Sequence, residues 1–192
     1  ELLNEDCYER GWLVALEPDD DPEYADVDAA KYTSTTIQTA EARILAAADE
    51  PAEAIWPFIP AYSEGRLPTN KQGRIISTAN ARLRTEGAPF APTFMGSWRN
   101  GLRVVVLVSW FYEFDSRVKP QVPYAVFPLE TPFWMMAGLA RWTRMPDGSR
   151  QLSVAVITVN PNEVLKSVGH HRSPALLQNA DEAVSWMRGE NG

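Results

Sequence analysis

Residues 104–114 read Val104-Val105-Val106-Leu107-Val108-Ser109-Trp110-Phe111-Tyr112-Glu113-Phe114. The valines are stiff at their first side-chain torsion and pack well on a pleated surface, so the run predicts a strand. Leu102 to Val108 reads as one β-branched strand, apolar without a break from Val104 to Val108 rather than alternating, the pattern of a strand buried on both faces. Glu113 then follows three aromatic residues, which brings a carboxylate to the end of an apolar strand.

Working outward, Asn100-Gly101 ends a short helix expected over 93–100. Further strands are expected at 124–127 and 133–139, with a turn over 128–132 between them. Residues 151–159 read as a strand that ends at Asn160-Pro161, a helix entry. Short helices are expected over 162–168 and 181–188, with Asp181 near the start of the second. Toward the beginning, Pro57 and Pro60 exclude a long helix over 52–60, and residues 61–76 read as an exposed loop. Residues 13–16 fit a short strand. Residues 31–50 pass from a β-branched Thr/Ile run to Ala-rich, helix-like sequence. Many short strands with few helices predict the α+β class, with a mainly antiparallel, curved, barrel-like core and a few flanking helices. With neither an internal repeat nor a linker, residues 1–192 read as a single domain.

The 192 residues suffice for a real core, since a chain of this size buries roughly 70% of its unfolded surface. No apolar run nears the ~20 residues of a membrane span, and no signal peptide is visible. A lone cysteine, Cys7, excludes an internal disulfide and a multi-cysteine zinc site, so a reducing cytoplasm is the expected location. The net charge of −7 argues against a generic nucleic-acid binder. Residues 17–28, however, hold seven acids and no base, leaving 18 acids against 18 bases elsewhere. A neutral body can carry a local basic groove. The acidic stretch reads as a solvated loop, with DNA mimicry or partner binding as the alternative.

Four segments in order, and two between them, resemble the SRAP (SOS-response-associated peptidase) family. They are Ile55-Trp56-Pro57-Phe58-Ile59-Pro60, then Thr78-Ala79-Asn80-Ala81-Arg82-Leu83-Arg84-Thr85-Glu86, then Val106 to Phe114, then Gly169-His170-His171-Arg172-Ser173-Pro174-Ala175-Leu176-Leu177. Ala137-Gly138-Leu139-Ala140-Arg141-Trp142 and Val156 to Asn162 fill the interval. The matches run from about residue 55 to 188. The family's opening Met-Cys-Gly-Arg is absent, the aspartate after its motif histidine is His171, and Gly169 replaces an aliphatic residue.

The resemblance implies capture of abasic sites in single-stranded DNA. The ring-opened sugar is an aldehyde. A neutral α-amine attacks it and loses water to give an imine, and a thiol on the same residue closes a five-membered thiazolidine. Amine and thiol must share one residue, so Cys7 must become the first residue, by a different native start or by cleavage after Asp6. An α-amino group with pKa near 7.7–8.0 is partly neutral at pH 7.

The family's catalytic roles fall on Cys7, Asn80, Glu113 and His170. Glu113 would move protons during dehydration, His170 would protonate the sugar oxygen, and Asn80 would orient the attacking residue. Arg82 would hold a flanking phosphate, with Arg84, Arg172 and Trp56 also on the DNA. No metal or cofactor is implied.

Read without the resemblance, Glu113 is a surface or ion-paired glutamate, and the two histidines are ordinary loop residues whose neighbouring side chains diverge. Asn80 and Arg82 are then a turn residue and a surface charge, Trp56 and Trp110 are core residues, and an internal Cys7 is a small hydrophobe. Two other functions stay open: a binding module that holds single-stranded DNA without the covalent step, and a cysteine autopeptidase using Cys7, His170 and Glu113.

Overall fold

The computed structural model describes residues 54–190, apart from Ser116, Glu130, Pro132 and Val168. Cys7, the acidic stretch 17–28 and the expectations over 13–16 and 31–50 lie outside the described residues. In chain order the elements are β1 (Ala54–Ile55), a 3-10 turn (Ala61–Ser63), β2 (Asn80–Arg82), α1 (Pro92–Arg99), β3 (Arg103–Val108), β4 (Phe111–Asp115) and β5 (Val122–Val126). Then follow β6 (Trp134–Arg144), β7 (Arg150–Val159), α2 (Glu163–Ser167), β8 (Ser173–Pro174), β9 (Leu176–Leu177) and α3 (Ala180–Arg188).

The fold is α+β and mostly antiparallel, as expected. Long β6 and β7 form its centre, paired from Gly138↔Val156 to Arg144↔Arg150. β3 runs antiparallel along the other edge of β6. The short β1 and β2 lie parallel to β7, one after the other, on the edge away from β6. Beyond Gly138 and Val156 the two central strands splay, and residues 173–177 cross the gap. Ser173 and Pro174 pair with β7, Leu176 and Leu177 with β6, and Ala175 bonds to both through Ile157 and Ala137. Among the described residues the sheet does not close on itself.

One face of the sheet presents Ala81, Ala137, Leu139, Ala155 and Ile157 to Phe58, Phe90, Phe94 of α1 and Trp186 of α3. Pro92 in the first turn and Asn100 at the end bound α1. In α3, the Asn179 side chain accepts the Glu182 N–H at 3.0 Å, satisfying one of the free donors at the helix start. The Trp186 indole N–H donates to the Val104 carbonyl at 3.0 Å, which fastens α3 to β3. Arg103 lies over the Trp98 and Trp186 rings, 4.3 and 5.1 Å from their centroids.

Two expectations need correction. The strand at 102–108 is not buried on both faces: only Val106 is buried, and its neighbours are half-buried. β3 ends the strand order, with β6 as its one partner in the described sheet. The aromatic run after it is not a strand end but a new strand. The chain breaks at Ser109-Trp110, and β4 pairs with β5 as a separate hairpin from Phe111↔Val126 to Asp115↔Val122.

Candidate functional site: a glutamate–histidine pair beside the sheet edge

Directly paired residues of adjacent strands share a face. Asn80 pairs with Val156 and Arg82 with Thr158, whereas Ala81 pairs with Ile157 in the core. Asn80 and Arg82 are therefore on the face opposite the one that α1 and α3 cover, and both are exposed. Trp56 packs on that same second face, against Ala54, Ala140 and Val154. Its indole N–H donates to the Ala79 carbonyl at 3.0 Å, tying it to the residue before Asn80.

Glu113 comes from the β4–β5 hairpin and His170 from the segment between α2 and β8. They meet side chain to side chain, with His170 Nε2 2.8 Å from Glu113 Oε2. Exposure is 24% for the histidine side chain and 17% for the glutamate, so water reaches the pair without surrounding it. His170 Nδ1 lies 2.7 Å from the Arg172 carbonyl oxygen, which can only accept, so Nδ1 carries a proton. The Arg172 N–H is 3.4 Å from the same nitrogen, too far to compete. Nε2 and Oε2 at 2.8 Å therefore need one proton between them. The pair is either imidazolium with carboxylate or imidazole with carboxylic acid. Burial raises the Glu113 carboxyl above its ordinary range, and the attraction of His170 partly opposes this. The two states are drawn together, which is what a proton shuttle requires.

Arg172 is 9% exposed. Its guanidinium donates to the Thr158 carbonyl and, at 3.3 Å, to Asn160 Oδ1, with the Leu83 carbonyl 3.4 Å from Nη2. Named from the sequence among the residues on the DNA, it joins the ends of β7 and β2 in the structure. Burial, and the nearby charge of Arg82, lower its pKa. Arg172 is also the link between the two halves of the site. Its carbonyl holds His170 and its guanidinium reaches the strand ends beside Arg82. Arg84 is exposed, and its backbone N–H bonds to the Pro89 carbonyl at 2.9 Å.

The two histidine rings stack, with centroids 5.3 Å apart, rather than diverging. Divergence assumes strand alternation, and the chain bends at His171. Among the described residues, no group of three His, Cys, Asp or Glu side chains could hold a metal. No helix there is long and apolar enough to cross a membrane.

Three residues of the site were not singled out from the sequence: Asp115, Arg117 and Tyr124. Tyr124 stands directly across the hairpin from Glu113. Arg117 donates from Nε and Nη2 to Asp115 at 2.8 and 2.6 Å. The signal that could have found them is the pairing of Phe111–Asp115 with Val122–Val126 around Lys119-Pro120.

The sequence profile of the SOS response associated peptidase (SRAP) family covers residues 13–192, and the chain belongs to that family. The match extends the legible motifs at both ends and begins past Cys7. The abasic site processing protein HMCES of Gallus gallus is 26% identical over 151 residues, 69% of this chain. This chain spans 43% of that relative's length. Two solved structures share the fold. A protein from Bacteroides thetaiotaomicron aligns with a TM-score of 0.55 at 21% identity, over 73% of this chain and 59% of that one. A protein from Bordetella bronchiseptica aligns with a TM-score of 0.56 at 22% identity, over 71% and 65%.

Proposed function

We propose that this protein recognises abasic sites in single-stranded DNA and captures them covalently, with Glu113 and His170 as its proton-handling pair. The observation that carries the reading is the 2.8 Å contact between those side chains, with the far ring nitrogen pinned by a backbone carbonyl. Ring opening of the sugar needs a proton on the ring oxygen, and the imidazolium form of His170 supplies it. Loss of water from the carbinolamine needs a proton delivered to the departing hydroxyl, which the acid form of Glu113 supplies. Asn80 and Arg82, on the open face, hold the sugar and a flanking phosphate. The name of the avian relative, an abasic site processing protein, supports the substrate class.

The covalent step belongs to Cys7 once its α-amine is free. The amine condenses with the aldehyde carbon and releases water, and the thiol then adds to the imine carbon to close the thiazolidine. On a denaturing gel, abasic single-stranded DNA should give a retarded band that undamaged DNA does not. Cys7→Ala should abolish it, and the mass of the reactive protein should begin at Cys7. A second reading is favoured by the family match beginning at residue 13, past Cys7. In it the same site binds abasic DNA without the bond. Retention on a native gel with no band on the denaturing gel would select that reading, and binding on neither gel would remove both.

A further inference from the structure

The hairpin that delivers Glu113 carries a second cluster that the proton chemistry does not use. Asp115 is 5% exposed and accepts three hydrogen bonds from Arg117. The backbone N–H contributes one at 2.9 Å, Nε one at 2.8 Å and Nη2 one at 2.6 Å. A guanidinium fixed in this way loses little further freedom on meeting a ligand. Even so, 56% of the Arg117 side chain is exposed, and Nη1 takes no part in the grip of Asp115.

Asp115 holds this cation, and Gly169, the residue before His170, leaves it room. Gly169 has φ +77°, and a Cβ there would lie 2.6 Å from Arg117 Nε and 2.7 Å from Cδ. The arginine stem therefore lies on the bare backbone beside the catalytic histidine. Tyr124 shares the hairpin face of Glu113, directly across the strand pair, and is 40% exposed. A fixed, half-open cation and a half-exposed ring thus flank the glutamate–histidine pair. Single-stranded DNA offers a matching pair of features, a phosphate and an unpaired base face, and a duplex hides the second.

We propose that Arg117 and Tyr124 form a subsite for the nucleotide adjoining the abasic residue, Arg117 holding its phosphate and Tyr124 stacking on its base. The subsite rests on the single-stranded DNA reading above and supplies a reason for the single-strand preference. It also places cations on two sides of the pair, Arg117 from the hairpin and Arg82 from the sheet edge.

The test measures binding of the full chain to single-stranded DNA bearing a tetrahydrofuran analogue of the abasic sugar, which cannot ring-open, across a salt series. Arg117→Gln should weaken binding and reduce the slope of log affinity against log salt by about 0.7, the share of one single-strand phosphate. Arg117→Gln leaves the Asp115 carboxylate buried without its partner. Asp115→Asn/Arg117→Gln, which has no orphaned charge, should give the same slope. Tyr124→Ala should cost about fivefold in affinity and Tyr124→Phe almost nothing, because the ring face and not the hydroxyl makes the contact. An unchanged slope in both Arg117 variants, with Arg82→Ala flattening it, overturns the subsite and leaves the parent reading intact. Wild-type binding by Tyr124→Ala also overturns it. A wild-type protein that binds no single-stranded DNA removes the parent reading and the subsite together.

Discussion

Glu113 is held in a setting that disfavours its own charge. Burial raises its carboxyl pKa above the ordinary carboxylate range, so the folded state binds a proton more tightly than the unfolded chain. Stability tied to this group is therefore fully present below the unfolded pKa and declines as pH rises through the folded one. Glu113→Gln should melt above wild type at pH 7, and the gap should close below about pH 4, near the unfolded carboxylate pKa. Thermal melts across that range check it, and a variant that melts below wild type at neutral pH would show that the pairing with His170 outweighs burial. A site residue that costs stability where it works fits a functional role. Arg172 makes the opposite case. Arg172→Ala would leave the Thr158 carbonyl without its guanidinium partner and loosen the His170 segment. A loss of about 1–3 kcal/mol is expected in urea denaturation. Arg172→Lys should recover little, since a single ammonium cannot span Thr158 and Asn160 as the guanidinium fork does.

At the scale of elements, α3 is fastened chiefly by Trp186, which is 8% exposed, bonded to Val104 and set beside Trp98 and Arg103. Trp186→Ala should cost about 3–5 kcal/mol. Trp186→Phe keeps most of the ring but loses the indole hydrogen bond, so about 1 kcal/mol is expected. Chemical denaturation separates the two. Most elements were legible because local chemistry fixes them. Asn100-Gly101 ends α1 and Asn160-Pro161 ends β7, whereas α3 was read from Asp181 in its first turn and its cap, Asn179, was not picked out. The valine run gave β3 its type but not its burial, which depends on which strands lie beside it. The hairpin was missed for a related reason. Ser109-Trp110 is a poor breaker by composition, so nothing separated Phe111–Asp115 from the valine run or pointed it to Val122–Val126 as its partner. The short β1, β2, β8 and β9 carry too few residues for any period to register. They exist because the splayed ends and open edge of β6 and β7 offer them hydrogen bonds.

At the scale of the whole molecule, a net charge of −7 is compatible with DNA binding because seven acids sit within residues 17–28. The described body places Arg82, Arg84 and Arg117 exposed in the segments that carry Asn80 and Glu113. Of the candidate site, Asn80, Arg82, Glu113 and His170 were nominated through motifs in a fixed order, and the structure brings Glu113 and His170 into contact. Spacing alone could not say that Glu113 and His170 touch, or that Arg172 is buried between strand ends. The central claim is that Glu113 and His170 act as one proton-sharing unit on an abasic aldehyde. It is tested most directly by the rate of crosslinking to abasic single-stranded DNA in wild type, Glu113→Gln, His170→Asn and the double variant. Each single change should slow the reaction by about 10²–10⁴-fold, and the double should be little slower than the worse single. Both single variants reacting at the wild-type rate would contradict the account.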